Sequence, residues 1–220
     1  MAFKLLTFFF PWFLRRRILN SYYGYKIHKE ARIGMSWIFP KELIMEQGAY
    51  IGHFNMAIHL DTIQMGSNSK IGRGNWITGF PTNTKSKHFN HQPDRSPKLI
   101  IGHDSAITKN HHFDCTNSIT IGNFCTIAGY SSQFLTHSID VYENRQSSSP
   151  ISIGDYTFVS TNVVILGGGC LPSHSVLGAK ALLNKSLTEE WTLYGGIPAK
   201  PLQNIDKSAK YFSRTHGFVY

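Results

Sequence analysis

The most regular feature of the chain is a ladder of aliphatic residues six positions apart: Ile153, Val159, Ile165, Leu171, Leu177 and Leu183. Four residues after each of the first five rungs stands a small or β-branched residue, namely Thr157, Val163, Gly169, Ser175 and Ala181. The ladder recurs upstream. Ile101, Ile107, Phe113 and Ile119 keep the spacing, Ile121 and Ile127 restart it two residues out of register, and Met65, Ile71 and Ile77 form a further run. An Ile-Gly pair occurs at Ile33, Ile51, Ile71, Ile101, Ile121 and Ile153. A period of six suits neither a helix of 3.6 residues per turn nor simple alternation. It predicts a short strand and a turn, repeated three times per coil, so that Ile153 stacks on Leu171 and Val159 on Leu177. Adjacent coils then lie about 4.8 Å apart. The large rung fills the interior of a triangular prism, and the small residue fits where the chain turns a corner. Each coil is apolar on one side only, so coils must stack and the two ends need caps. The expected span of these coils is residues 44–200.

Two segments break the ladder. Residues 80–98 are polar and contain Pro81, Pro93 and Pro97, so they read as a loop thrown out of a coil. Residues 134–150 form a second loop. Long loops in a compact solenoid tend to carry function or to face a neighbouring subunit. At the N-terminus, an apolar run from Leu5 to Leu14 rich in Phe and Trp is followed by Arg15-Arg16-Arg17. That order is the reverse of a secretory signal. Two readings of residues 1–29 stay open: a shallow interfacial anchor on an anionic leaflet, or a cap buried against the end of the core. Residues 204–220 read as a C-terminal tail.

Composition narrows the class. Hydrophobic residues are 41%, charged residues 16%, and fifteen Phe, ten Tyr and four Trp need burial, which excludes a disordered chain. Cys115, Cys125 and Cys170 form no C-x-x-C pair, and their odd number fits reduced thiols in the cytoplasm. No stretch of about 18 apolar residues is present, so no ordinary transmembrane helix is expected. The net charge of +9 suggests an anionic partner, but the basic residues are mostly scattered. Nucleic-acid binding has no recognisable motif behind it.

The second loop carries the sharpest local pattern. It reads Thr136-His137-Ser138-Ile139-Asp140, then Asn144-Arg145, then Pro150-Ile151-Ser152-Ile153-Gly154-Asp155. Downstream stands Gly195-Gly196-Ile197-Pro198-Ala199-Lys200. With the ladder, these segments resemble the hexapeptide-repeat acyltransferases, and within them the maltose, galactoside and nodulation-factor O-acetyltransferase group. The resemblance covers roughly residues 30–203 and implies an all-β fold, a left-handed parallel β-helix. It implies acetyl-CoA as cosubstrate, a sugar or polysaccharide-precursor hydroxyl as acceptor, and a homotrimer with the active site between subunits.

The same resemblance assigns roles. His137 is the general base, because imidazole titrates near neutrality and can pass a proton from the acceptor hydroxyl to the leaving thiolate. The Thr161 N–H is the carried-over oxyanion donor, although Phe158 and Ser160 replace the family's Trp and Gly there. Gly178, Ala179, Lys185, Pro198 and Lys200 fall along the acyl-CoA site, the lysines as point charges for phosphates. Lys180 and Asn184 depart from the family pattern, and Gly178 also fits as a plain corner residue of the repeat. Asp140, Asn110, His111 and Asp114 are candidates for the acceptor side, the last three one residue out of register. A corner Asn or Asp that merely satisfies turn amides is the competing reading.

Rival functions are few. The chain has 11 histidines, and the same fold hosts carbonic-anhydrase-like metal proteins. Those use two sequential ligands five apart, and no two histidines here have that separation, so no metal is expected. A non-enzymatic β-helix scaffold is a second rival. Within the transferases, N-acetylation of an amino sugar competes with O-acetylation. The apolar, arginine-flanked N-terminus suggests peripheral contact at the inner face of the membrane.

Overall fold

The structure, a computed structural model, describes residues 7–217 and 219. It is a triangular prism of stacked coils in which every coil contributes one short strand to each of three parallel sheets, the architecture of a left-handed parallel β-helix. The first and third faces have seven strands each, and the second has nine, the last two forming a terminal antiparallel hairpin. The three corners follow in chain order: the first between the first and second faces, the second between the second and third, the third between the third and first.

The six-residue ladder lies inside the prism. Ile153, Val159, Ile165, Leu171, Leu177 and Leu183 are each no more than 1% exposed. Ile153 pairs with Leu171, Val159 with Leu177 and Ile165 with Leu183, so residues eighteen apart do stack. The shift by two upstream has a simple cause. First-face strands there are longer and turn two residues inward, Leu99 with Ile101 and Ile119 with Ile121, and the paired strands Leu99↔Ile119 and Ile101↔Ile121 stand twenty residues apart. Coils also begin earlier than residue 44, with Lys26–Ile27 as the first strand of the first face. The Ile-Gly pairs belong to corners where stacked coils touch. A Cβ on Gly72 would lie 1.8 Å from the Thr108 carbonyl oxygen, so only glycine fits.

Both ends are closed. Helix α1, Trp12–Tyr23, lies on the first coil and stops at Gly24, whose left-handed conformation lets its N–H reach the Leu19 carbonyl. Leu19 is buried, the Trp12 indole donates to the Ala31 carbonyl at 3.0 Å, and Arg15 is 6% exposed with its guanidinium on the carbonyls of Gly34 (3.0 Å) and Ser36 (3.3 Å). Arg15 is thus part of the cap, not of a solvated basic face. The other sequence reading keeps its support, because Phe9 and Phe13 are 86% and 64% exposed and Arg17 is exposed as well. At the far end, the hairpin Thr192–Gly195 and Lys200–Asn204 covers the last coil. The tail then runs back along the first corner, where Phe124, Tyr156, His174 and Trp191 stack ring on ring and Arg214 lies over Phe124 and Tyr156.

No helix among the described residues is long and apolar enough to cross a membrane.

Candidate active site

Both interruptions of the ladder leave from the third corner. Residues 80–97 emerge after the third-face strand Trp76–Thr78 and rejoin the first face at Lys98. The second loop emerges after Gln133–Leu135 and rejoins at Ile151. It is a hairpin, with His137–Asp140 antiparallel to Arg145–Ser148 and His137 opposite Ser148. The hairpin is rooted by Thr136, which is buried, donates its hydroxyl to the Asp114 carbonyl at 2.6 Å and accepts the Asn117 N–H at 2.9 Å.

His137 is half-exposed, with its Nδ1 hydrogen-bonded to Asp114 Oδ2. Asp114 ends the third-face strand His112–Asp114, one coil below, and is 5% exposed. Its other oxygen accepts from the Thr116 hydroxyl at 2.7 Å and the Thr116 N–H at 3.1 Å. Burial alone would push the Asp114 carboxyl up, but the hydrogen bonds from His137 and Thr116 outweigh it and hold the group below the usual carboxylate range. The same hydrogen bond raises the His137 pKa above its ordinary value, against a smaller opposing effect of burial. An ionised Asp114 can only accept, so the Nδ1 proton stays between the two groups and the lone pair of the neutral ring sits on Nε2. Nε2 has no partner among the described residues. The arrangement is that of an oriented base.

His137 stands between two clefts. On one side is a cavity of about 440 Å³ lined by Phe80, His88, Phe89, His112, Leu135 and Gln146, with Asp114 and Thr116 at its floor. Its outer wall is loop 80–98, folded up against the hairpin. Phe89 meets His137 edge to face at 6.3 Å, and Gln92 clasps Ser148, accepting its hydroxyl at 2.8 Å and donating to its carbonyl at 3.0 Å. On the other side is a narrower cleft of about 320 Å³ lined by Ser138, Ser147, Ser149, Gly167 and Asn184. A base between two clefts can meet one substrate from each.

The predicted residues divide between two corners. His137, Asp114 and Lys185 belong to the third. Asn110, His111, Thr161, Gly178 and Ala179 belong to the second, stacked in a column, with the Lys180 N–H on the Thr161 carbonyl at 3.1 Å. The Thr161 hydroxyl exchanges hydrogen bonds with the backbone of Tyr130, at 3.2 and 3.1 Å, and the Thr161 N–H donates to no group among the described residues. Thr161 and His137 are therefore not brought together within one chain. Pro198 and Lys200 are exposed in the terminal hairpin, whose Ala199 N–H bonds the Leu182 carbonyl at 2.7 Å.

Three of the acceptor-side candidates have side-chain partners within the chain. Asp114 lies at the floor of the larger cavity, and its two oxygens accept from His137 and Thr116. Asp140 closes the hairpin turn, its Oδ1 accepting the N–H groups of Tyr142 (3.1 Å) and Glu143 (3.2 Å). His111 is 1% exposed, receives the Ser132 N–H on Nδ1 at 3.2 Å and has Nε2 on the Thr108 hydroxyl at 3.0 Å. Burial pushes its pKa down to about 4, so it is a neutral structural histidine. Asn110 is an exposed corner residue at φ 54°. Sequence reasoning missed Phe80, Phe89, Arg95, His112 and Thr116. The first three lie in or beside a loop with no repeat to index them, and nothing in their spacing marks them.

Among the described residues, no three of His, Cys, Asp and Glu converge as a metal site.

Comparison with known proteins agrees with this architecture. The chain matches solved structures of a polysialic acid O-acetyltransferase (16% identity, 85% of this chain and 90% of that one, TM-score 0.50) and a putative acetyltransferase of Bacillus cereus (15% identity, 86% and 88%, TM-score 0.50). It has the fold of the hexapeptide-repeat acetyltransferases. Among curated proteins it is similar to a probable acetyltransferase of Mycobacterium tuberculosis, 22% identical over 107 residues, which is 49% of this chain. The match spans about a third, 35%, of that relative's length. No family-level sequence profile matches the chain.

Proposed function

We propose that the chain is an acetyl-CoA-dependent O-acetyltransferase acting on a hydroxyl of a sugar or polysaccharide precursor. The observation that carries this reading is the Asp114–His137 pair, with the free Nε2 placed between two clefts. The acceptor occupies the aromatic-walled cavity and presents its hydroxyl to Nε2. As the oxygen attacks the thioester carbonyl, its proton passes to His137. The tetrahedral oxyanion collapses, the carbon–sulfur bond breaks, and the leaving thiolate takes the proton from His137 Nε2. No acyl-enzyme forms, and a placed base of this kind contributes roughly 10²–10⁴-fold. One solved structure with this fold is that of a polysialic acid O-acetyltransferase, which supports the reading.

Oxyanion stabilisation and CoA binding need the column at the second corner, which a second copy supplies. The hairpin tip exposes Ile139, Val141 and Tyr142 (62%, 77% and 96%), and the second corner exposes Met35, Phe54 and Tyr130 (58%, 72% and 56%). A hairpin from one copy laid along the corner of the next buries both apolar sets and brings His137 to Thr161. Closing that head-to-tail contact on a three-sided prism gives a homotrimer, three times 24.9 kDa. Gly178 and Ala179 then offer backbone groups to the pantetheine arm, with Pro198 beside it and Lys185 and Lys200 on the phosphates. In this reading residues 30–203 carry the catalysis, and the described residues of the 1–29 and 204–220 segments, 7–29 and 204–217, cap and brace it. The exposed Phe9, Phe13 and Arg17 suit contact with the inner face of an anionic membrane.

The test is thiol release from acetyl-CoA in the presence of monosaccharides, nucleotide sugars and lipid-linked oligosaccharides, with wild type and His137→Ala side by side. Release that needs both an acceptor and His137 supports the proposal. An absence of release with every acceptor would favour a scaffold.

A further inference from the structure

We propose that Arg95 and Phe89, on the inserted loop 80–98, are positioning residues that hold the Asp114–His137 pair in line. The inference rests on the reading of His137 as the base and adds what keeps it in place.

Arg95 is 8% exposed and makes no ion pair among the described residues. Asp61, the acid that acts on it through space, is itself bridged to Lys41 at 2.6 Å. The guanidinium instead serves backbone carbonyls and rings. It donates to Thr116 O at 2.6 Å, to Pro81 O at 3.3 Å and to Phe80 O, while lying 4.6 Å from the ring centre of Phe89 and 5.5 Å from that of Phe80. Its Nε is buried without a partner. Burying a charge without an opposite charge is costly, so such a group stays where its geometry matters.

That geometry leads to His137 by three routes. Arg95 fixes the Thr116 carbonyl; Thr116 gives two hydrogen bonds to Asp114; Asp114 holds His137 Nδ1. Arg95 also stacks on Phe89, which is 6% exposed, held at φ 62° and set edge to face on the His137 ring. A non-glycine residue in the left-handed region is uncommon and needs a surrounding that enforces it. Finally, Gln92 of the same loop clasps Ser148, the residue paired with His137 across the hairpin. One loop from two coils below therefore grips the base through its carboxylate, its ring edge and its strand partner.

The experiment replaces Arg95 by Lys and Phe89 by Leu and reads three quantities: melting temperature, kcat against KM for acetyl-CoA, and the titration midpoint of His137 followed by its imidazole C–H resonances. Lys keeps the charge but loses the planar fork. The titratable or charged groups around His137 are Asp114 and His112 from the third face, His88 from the loop, and Asp140 and Arg145 farther along the hairpin. Arg95→Lys should lower kcat by about tenfold to a hundredfold, leave the KM for acetyl-CoA nearly unchanged, and move the His137 midpoint down. Phe89→Leu should do the same more weakly. An unchanged kcat and an unchanged midpoint in a folded Arg95→Lys protein would overturn the proposal. Should Arg95→Lys fail to fold, the same absence of change in Phe89→Leu would overturn it. The resonance needs no turnover, so a midpoint that moves in a protein without acetyl transfer would keep the positioning role and sink the proposed reaction.

Discussion

His111 and His137 sit on successive coils of one prism and have opposite fates. His111, at the second corner, is sealed among Thr108, Asn75 and Ser132 with no acid beside it, and burial drives its pKa down to about 4. His137, at the third corner, hangs at the root of a hairpin, half-exposed, with a buried carboxylate on one nitrogen and open cleft at the other. The first completes a corner that the repeat requires. The second stands where the repeat has been interrupted. In the proposed reaction the base belongs to an interruption, while the regular coils supply the second-corner column and the rigid frame from which loop 80–98 and the hairpin reach each other.

The contrast breaks most decisively at His137. Replacing it by Asn should cut turnover roughly 10²–10⁴-fold, with acetyl-CoA affinity little changed, as measured by steady-state kinetics and direct binding. Near-normal turnover would move the base elsewhere. Asp114→Asn should cost about tenfold to a hundredfold, because it frees the ring to rotate, and the loss should appear in kcat more than in either KM.

His111→Gln sharpens the other side. Turnover of folded protein should stay near wild type, while stability in urea falls by about 1–3 kcal/mol through the Thr108 and Ser132 bonds it disturbs. The pH dependence carries its own sign. Folding lowers the proton affinity of His111 from an ordinary value of about 6.5 to about 4, so the unfolded chain binds more protons between them. Its stabilisation is present above about pH 6.5 and lost as pH falls towards 4, and His111→Gln should flatten that acid-side loss. His137 has the reverse sign: its raised pKa gives stability present below about pH 6.5 and lost as pH rises through the folded value. Smallest of all, Lys200→Ala should raise the KM for acetyl-CoA several-fold with kcat little changed, since an exposed point charge binds ground and transition states alike.

What was legible in the sequence follows from the same contrast. The prism was readable because each rung repeats at a fixed interval, so Ile153 and its five successors locate the core without knowledge of anything distant. The motif around His137 was readable locally, and the structure sets that side chain against the buried Asp114. The bond from Asp114 to His137 was not legible, because it spans 23 positions and one coil. Phe89 and Arg95 left no trace, since a loop folded across two coils has no period and its contacts depend on where the corner places its ends. The two corners could not be told apart either. Asn110 and His111 lie only a few residues before Asp114, yet a single strand of the third face carries the chain from one corner to the next.

In the proposed reaction Asp114 orients the imidazole that acts as base and raises its proton affinity. The pH dependence of kcat for wild type and Asp114→Asn, measured with saturating acetyl-CoA and a confirmed acceptor, tests it most directly. Only neutral imidazole accepts the proton, so the wild-type rate should rise with pH through a midpoint above the ordinary histidine value, and that midpoint should fall in Asp114→Asn along with the plateau. An identical midpoint in the two proteins would contradict the claim.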